Sequence, residues 1–111
     1  MIKHFIDIDN FSLRELDLIL STAKKLKKNN TRYEKLFNNK SLGLLFQKES
    51  TRTRLSFSIG MQKLGGSVIE LDLKAIGFGK RESEEDILKT LSCYIDCLMI
   101  RNNNHKKIQY Y

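Results

Sequence analysis

A short apolar run at Ser41–Phe46 constrains the fold of this chain more than any other feature of its sequence. A run of this kind between polar segments is typical of a strand that is buried on both faces, as in a parallel sheet covered by helices. Helix-like and strand-like patterns then alternate along the chain, in the order helix Thr51–Leu64, strand Val68–Leu73, helix Ser83–Ser92 and strand Ile95–Ile100. This β-α-β-α-β order predicts an α/β fold, with three α/β/α layers around a short parallel sheet.

An amphipathic helix is predicted ahead of the first strand. Ser12 and Glu15 have the spacing of a capping box, in which each side chain satisfies an open backbone N–H group. Apolar residues then recur at helical spacing, at Leu13, Leu16, Ile19, Leu20, Ala23 and Leu26. We interpret this stripe as part of the hydrophobic core; its alternative is a face that binds a partner.

The length of 111 residues is that of one domain. No apolar run approaches the ~20 residues that cross a bilayer, and charges interrupt the first residues, so we expect a soluble cytoplasmic protein without a membrane partner. The net charge of +7 has three explanations: a solvated surface, nucleic-acid binding, or attraction of a small anion into one pocket. Nucleic acid is not expected as a partner, because the aromatic residues fall mostly on apolar faces and no nucleic-acid motif is present.

The two cysteines do not form a metal-binding pattern. Cys93 and Cys97 are four residues apart, which is neither C-x-x-C nor a zinc spacing, and His105 alone does not complete a ligand set. We therefore predict no metal site and two buried free thiols.

The residues that follow the first strand carry the chemistry. The segment Ser50–Arg54 reads Ser-Thr-Arg-Thr-Arg and opens the second predicted helix, so three hydroxyls and two guanidinium groups surround the positive end of a helix dipole. Open backbone N–H groups, hydroxyls and arginines together suit a phosphate oxyanion. In the alternative interpretation, Ser50 or Thr51 only caps the helix and both arginines face water.

This segment, followed by Leu55-Ser56-Phe57 and then by Leu64-Gly65-Gly66, resembles the carbamoyl-phosphate signature of the aspartate and ornithine carbamoyltransferases. The resemblance extends from residue 4 to about residue 101. His4–Ser12 and the Phe46-x-Lys48 pattern are similar to ornithine enzymes, and Arg81–Arg101 is similar to the next family block, which ends in a ligand-binding arginine.

The resemblance implies roles for the signature residues. Ser50, Thr51 and Arg52 would hold the phosphate of carbamoyl phosphate, assisted by backbone N–H groups. Arg54 is assigned to the same ligand, with a structural role that ties the helix to its surroundings as the alternative.

The resemblance also implies how the carbamoyl end of the ligand is recognised. Thr53 and Arg101 would contact the carbonyl oxygen, where negative charge grows during attack by an amine, and Arg52 and Arg101 would be the catalytic residues. The reaction would convert carbamoyl phosphate and ornithine to citrulline and phosphate, within arginine metabolism, with no metal or cofactor.

Two positions depart from the family pattern. Glu49 stands where the family usually has proline, which places a negative charge beside the expected phosphate site. Gly77 lies near the position of a glutamine that ornithine enzymes extend into a neighbouring subunit, and Lys80 or Arg81 is the candidate substitute.

Length is the largest departure from the family. We assign residues 1–101 to a partial carbamoyl-phosphate-binding domain and 102–111 to an unpatterned polar tail, with the second, ornithine-binding domain absent. We therefore expect no turnover by this chain alone. The expected macromolecular partners are copies of the chain in a homotrimer, or a separate carboxyl-terminal domain. The alternative function is a non-catalytic remnant or phosphate-ligand-binding module that associates with an intact carbamoyltransferase.

Overall fold

The computed structural model describes residues 4–111, which form a three-stranded sheet and four α-helices. The strands are β1 (Ser41–Phe46), β2 (Ser67–Leu71) and β3 (Cys97–Arg101). The helices are α1 (Leu13–Lys28), α2 (Thr51–Lys63), α3 (Glu84–Tyr94) and α4 (His105–Tyr110), and two 3-10 turns lie at Ile8–Asn10 and Asn30–Tyr33. No helix within these residues is long and apolar enough to cross a membrane.

The sheet has the strand order β2-β1-β3, and both pairings are parallel. The predicted parallel α/β fold is therefore confirmed. The chain places β2 on one side of β1 and β3 on the other side. Because connections between parallel strands are right-handed, α2 and α3 lie on opposite faces of the sheet. The carboxyl ends of β1 and β3 consequently lie side by side, with their following segments leaving the same edge.

The centre of the sheet forms the core. Leu42, Leu44 and Leu45 of β1 are buried, and Ile87 of α3 completes the buried apolar side chains among the described residues. The apolar run that predicted β1 thus corresponds to the one strand with neighbours on both sides. Because so few side chains are fully buried, the packing that stabilises this chain is concentrated around β1.

The first helix forms where its capping box predicts. Ser12 accepts a hydrogen bond from Glu15 N, and Glu15 accepts one from Ser12 N at 2.7 Å. The interpretation of its apolar stripe as core is wrong, however, because no residue of α1 is buried. Leu13 is 82% exposed, since α1 packs mainly against the 3-10 turn Asn30–Tyr33 and not across the sheet.

Two further expectations are wrong. The segment expected to be an unpatterned polar tail contains α4, whose first turn is capped by Asn104 through a hydrogen bond from Lys106 N at 3.1 Å. The chain after α4 is held by tertiary contact, with the rings of Phe78 and Tyr111 edge to face at 6.1 Å. The two cysteines, expected to be buried, are both exposed and free, because one lies at the end of α3 and the other at the start of an edge strand.

Substitution of Gly65 tests the connection from α2 to β2. Gly65 has a φ of +85°, and a Cβ atom there would lie 2.3 Å from the backbone oxygen of Glu34. We expect Gly65→Ala to lower the free energy of unfolding by roughly 2 kcal/mol or more, since the left-handed conformation alone costs a non-glycine residue about 1–2 kcal/mol. Urea denaturation followed by circular dichroism measures the change.

Gly60 provides the matched control. It lies within α2, and a Cβ atom there would meet nothing within 4 Å. Gly60→Ala should therefore raise the free energy of unfolding by about 0.5–1 kcal/mol. Equal effects of the two substitutions would contradict the described connection.

Candidate functional site

The connection between β1 and α2 presents the start of a helix at the carboxyl edge of the sheet. Ser50 is the N-cap residue, with an extended backbone, and its hydroxyl oxygen accepts a hydrogen bond from Thr53 N at 3.4 Å. The side chains of Thr51 and Arg52 are exposed in the first turn. Backbone N–H groups in the first turn of a helix have no partner within the helix, so this end of α2 favours an anion.

The end of β3 brings Arg101 to the same place. Arg101 is aligned with Phe46 in the parallel register, and its carbonyl oxygen accepts a hydrogen bond from Gln47 N at 2.9 Å. Its Nη1 atom donates a hydrogen bond to Thr53 Oγ1 at 2.9 Å. Two residues 48 positions apart in sequence are thus joined directly across the edge of the sheet.

These residues line one open cavity of about 560 Å³. Its lining consists of Ser50, Thr51, Arg52, Thr53 and Arg101. The set contains two guanidinium groups, three hydroxyls and no carboxylate, so the cavity is suited to a small oxyanion. Within residues 4–111 there is no group of three or more His, Cys, Asp or Glu side chains arranged to hold a metal ion.

A second cavity, of about 360 Å³, lies between α3 and α4. It is lined by Glu85, Leu88, Lys89, Ser92, Tyr110 and Tyr111. Its lysine is already paired with its carboxylate, since Lys89 Nζ lies 2.6 Å from Glu85 Oε1. This cavity therefore lacks the free positive charge that distinguishes the cavity beside α2.

Arg54 is held away from the cavity. Its Nε atom lies 2.7 Å from Glu70 Oε1, at an angle outside that of a hydrogen bond, and its guanidinium carbon lies 4.8 Å from the centre of the Phe46 ring. Arg54 is not one of the residues that line the cavity. These contacts favour the structural alternative for Arg54, in which it ties α2 to β1 and β2.

A chain of polar contacts supports the loop that precedes the site. Gln47 accepts a hydrogen bond from Asn102 and donates one to Tyr111 Oη at 3.3 Å, and Tyr111 donates to Glu84 Oε2 at 2.5 Å. The bond from Tyr111 lowers the pKa of Glu84, and the ion pair with Lys107 at 3.2 Å lowers it further. Burial, together with the bond to Glu84, raises the pKa of Tyr111.

Sequence reasoning missed this supporting chain of contacts. The place of Gln47 between a buried strand and a helix start was the one local sign that it supports the site. Its partner Tyr111, and Glu84 to which Tyr111 donates, are distant from Gln47 in sequence and could not be predicted.

The two departures from the family pattern lie outside the site lining: Glu49 is exposed, Gly77 is buried, and neither lines the cavity. The candidate substitutes Lys80 and Arg81 are exposed and do not line it either.

A parallel α/β sheet with a basic, hydroxyl-rich cavity at the carboxyl ends of adjacent strands is an arrangement suited to phosphate-type anions. The profile of the aspartate/ornithine carbamoyltransferase carbamoyl-phosphate-binding domain matches residues 3–111 of this chain. The chain therefore belongs to that family. The match includes residues 102–111, beyond the end of the resemblance recognised from motifs.

Individual relatives agree with this assignment. The chain is similar to an ornithine carbamoyltransferase of Bacillus subtilis, with 37% identity over 107 residues, covering 96% of this chain and 33% of the relative. Its structure is similar to the crystal structure of ornithine carbamoyltransferase from Thermus thermophilus, with a TM-score of 0.85, 32% identity, and coverage of 99% of this chain and 38% of that one.

A second similar structure is aspartate transcarbamoylase from Trypanosoma cruzi in complex with phosphate. It has a TM-score of 0.85 and 26% identity, and the similarity covers 97% of this chain and 35% of that chain. This chain thus spans about a third of the length of the relatives that it matches.

Proposed function

We propose that this chain is the carbamoyl-phosphate-binding portion of an ornithine carbamoyltransferase, and that it requires a complementary portion for turnover. One observation carries the proposal: a single cavity is lined by Ser50–Thr53 and Arg101, the residues for which the family resemblance implies contact with carbamoyl phosphate. The T. cruzi relative, whose structure is a complex with phosphate, supports the class of ligand. The two relatives named as ornithine carbamoyltransferases support ornithine as the second substrate.

In this proposal, different residues of the cavity bind the two ends of carbamoyl phosphate. Ser50, Thr51 and Arg52 take the phosphate, where the helix N–H groups and the guanidinium group offset its negative charge. Thr53 and Arg101 take the carbonyl oxygen, and their mutual hydrogen bond of 2.9 Å holds both at the same end of the ligand.

In this proposal, attack of the amine on the carbonyl carbon places negative charge on the carbonyl oxygen. Arg101 and Thr53 stabilise that charge because they are held in place before it develops. Arg52 stabilises the phosphate as it leaves. The amine substrate itself must be positioned by groups beyond this set, since the cavity lining contains no carboxylate to bind an amino group.

The isolated chain is expected to bind carbamoyl phosphate and to make no citrulline. Transition-state stabilisation requires both reactants to be oriented, and a group misplaced by about 1 Å can cost 100-fold in rate. Calorimetric titration measures binding, and a colorimetric citrulline assay with carbamoyl phosphate and ornithine measures turnover. Turnover that disappears in Arg52→Ala would contradict the requirement for a second portion, and failure to bind phosphate would favour an inert remnant.

We include a homotrimer in the proposal. Apolar side chains are exposed on α2, where Leu55 is 54% and Phe57 is 44% exposed, and both lie next to the signature residues. Burying such side chains between copies would stabilise the assembly. Sedimentation velocity at tens of micromolar should give the mass of three chains, and a single species with the mass of one chain would refute the trimer.

A further inference from the structure

Arg101 lies where the sheet alone restrains it weakly. It is the last residue of β3, and within residues 4–111 this strand pairs with β1 on one side only. The backbone hydrogen bond from Gln47 N to the Arg101 carbonyl oxygen, at 2.9 Å, comes at the end of the β1–β3 ladder. The ends of strands open locally at little cost in free energy. A further restraint on this backbone would therefore keep the guanidinium group at the cavity.

The side-chain amide of Gln47 provides such a restraint. Its Oε1 atom accepts a hydrogen bond from Asn102 Nδ2, and Asn102 directly follows Arg101 in the chain. Its Nε2 atom donates to Tyr111 Oη at 3.3 Å. Both bonds are partly shielded from water, which strengthens them relative to bonds at the open surface. Gln47 thus contacts Arg101 through the backbone and the next residue through its side chain.

Tyr111 is itself fixed at two points. Its hydroxyl donates to Glu84 Oε2 at 2.5 Å, and its ring meets the Phe78 ring edge to face at 6.1 Å. The other carboxylate oxygen of Glu84 lies 3.2 Å from Lys107 Nζ. Because the hydroxyl proton of Tyr111 is directed to Glu84, its oxygen is left to accept, and the N–H group of Gln47 is the matching donor.

We propose that Gln47 and Tyr111 are positioning residues for the carbonyl end of carbamoyl phosphate. They hold the backbone of Arg101 so that its guanidinium group stays beside Thr53, to which it donates at 2.9 Å. Neither Gln47 nor Tyr111 lines the cavity, so both act through Arg101. The inference rests on the proposed function, in which Arg101 contacts the carbonyl oxygen. Loss of the restraint should therefore weaken carbamoyl phosphate more than inorganic phosphate, which has no carbonyl.

Two single substitutions remove the restraint without changing the net charge. Tyr111→Phe removes the hydroxyl and keeps the ring, and Gln47→Met removes the amide and keeps an unbranched side chain. Each should raise the Kd for carbamoyl phosphate about three- to tenfold, as loss of one hydrogen bond would, and the Kd for phosphate less than about twofold. The double variant should be no weaker than the weaker single variant, because both changes break the same series of bonds. Isothermal titration calorimetry measures each Kd.

Tyr110→Phe is the matched control. Tyr110 precedes Tyr111 and is 71% exposed, and its hydroxyl donates to Glu85 Oε2 at 3.5 Å. The substitution removes the same chemical group from the same end of the chain without touching Gln47. The Kd values for both ligands should therefore stay within about twofold of those of the unsubstituted chain.

An exchange of side chains tests the direction of the bonds. Gln47→Glu removes the N–H donor and leaves two carboxylates to share the one hydroxyl proton of Tyr111. Gln47→Glu/Glu84→Gln places an amide donor on the opposite side of that hydroxyl, which can then donate to position 47. The double substitution should lower the Kd for carbamoyl phosphate about threefold or more relative to Gln47→Glu alone. Both variants carry the same charge at position 47, so the comparison reports on the hydrogen bonds.

Hydrogen exchange measured by NMR distinguishes local positioning from a general loss of stability, and it needs no ligand. Tyr111→Phe should accelerate exchange of the Gln47 N–H, which donates to Arg101, about fivefold or more. Exchange of the Leu44 N–H, at the buried centre of β1, should change less than about twofold.

Three results would overturn the positioning role. These are Kd values for Tyr111→Phe equal to those for Tyr110→Phe, equal weakening of both ligands, or equal acceleration of exchange at Gln47 and Leu44. Failure of the unsubstituted chain to bind either ligand would instead be a failure of the proposed function. In that case the exchange rates still decide whether Tyr111 restrains the segment that carries Arg101.

Discussion

Arg52→Ala is expected to remove detectable binding of both carbamoyl phosphate and inorganic phosphate. Arg52 is exposed in the first turn of α2 and lines the cavity, so its guanidinium group is free to form two parallel hydrogen bonds to a phosphate. Charge-assisted hydrogen bonds contribute roughly 1.5–3 kcal/mol each, and loss of two corresponds to about 100-fold or more in Kd. Isothermal titration calorimetry with each ligand measures the change.

Arg14→Ala is the control for the change in net charge. Arg14 is an exposed arginine on α1 and does not line the cavity, so its removal should alter the Kd for phosphate by less than about twofold at physiological salt. Similar losses in Arg14→Ala and Arg52→Ala would show that phosphate responds to the overall charge of +7 and has no defined site.

Arg101→Ala is expected to weaken the binding of carbamoyl phosphate more than the binding of inorganic phosphate. Arg101 donates to Thr53 and is assigned to the carbonyl end, so its loss should raise the Kd for carbamoyl phosphate about tenfold. The Kd for inorganic phosphate, which lacks that carbonyl, should change by less than about threefold. Competition of the two ligands in one titration series measures the ratio directly.

Thr53→Val gives a second variant at the same end of the ligand. It removes the oxygen that accepts from Arg101 Nη1 and keeps a side chain of similar shape. The same ligand preference, with a smaller change, is expected. If Arg101→Ala weakens both ligands equally, the assignment of Arg101 to the carbonyl end is incorrect.

The elements that depend on local signals were predictable from the sequence. β1 is Ser41–Phe46 as predicted, and α1 begins at Leu13 after the Ser12 cap, because burial on both faces and capping both leave local patterns. The segment Ser50–Arg54 was also identifiable, since a hydroxyl-rich, arginine-rich helix start is unusual. The place of Arg101 beside this segment was implied by the family resemblance.

The remaining features depend on contacts that no local pattern specifies. An apolar stripe indicates that a helix face must be covered, but it does not say whether the same chain covers it, and α1 is left exposed. The short helix α4 has few residues to signal it, and its surroundings include contacts of Lys107 and Tyr111 with Glu84. The contacts of Arg54 with Glu70 and Phe46 likewise could not be predicted, because they depend on how α2 lies against β1 and β2.

The hydrogen bond between Arg101 and Thr53 has a consequence for the entropy of ligand binding. An arginine side chain has several rotatable bonds, and immobilising a free one on binding costs about 0.5–1.5 kcal/mol. Here one N–H group of the guanidinium is already fixed by Thr53 Oγ1, while its other N–H groups remain available at the cavity. Part of the ordering that a ligand would otherwise impose has therefore occurred during folding. A ligand that reaches the carbonyl end should bind with a smaller entropic loss than it would in Thr53→Val.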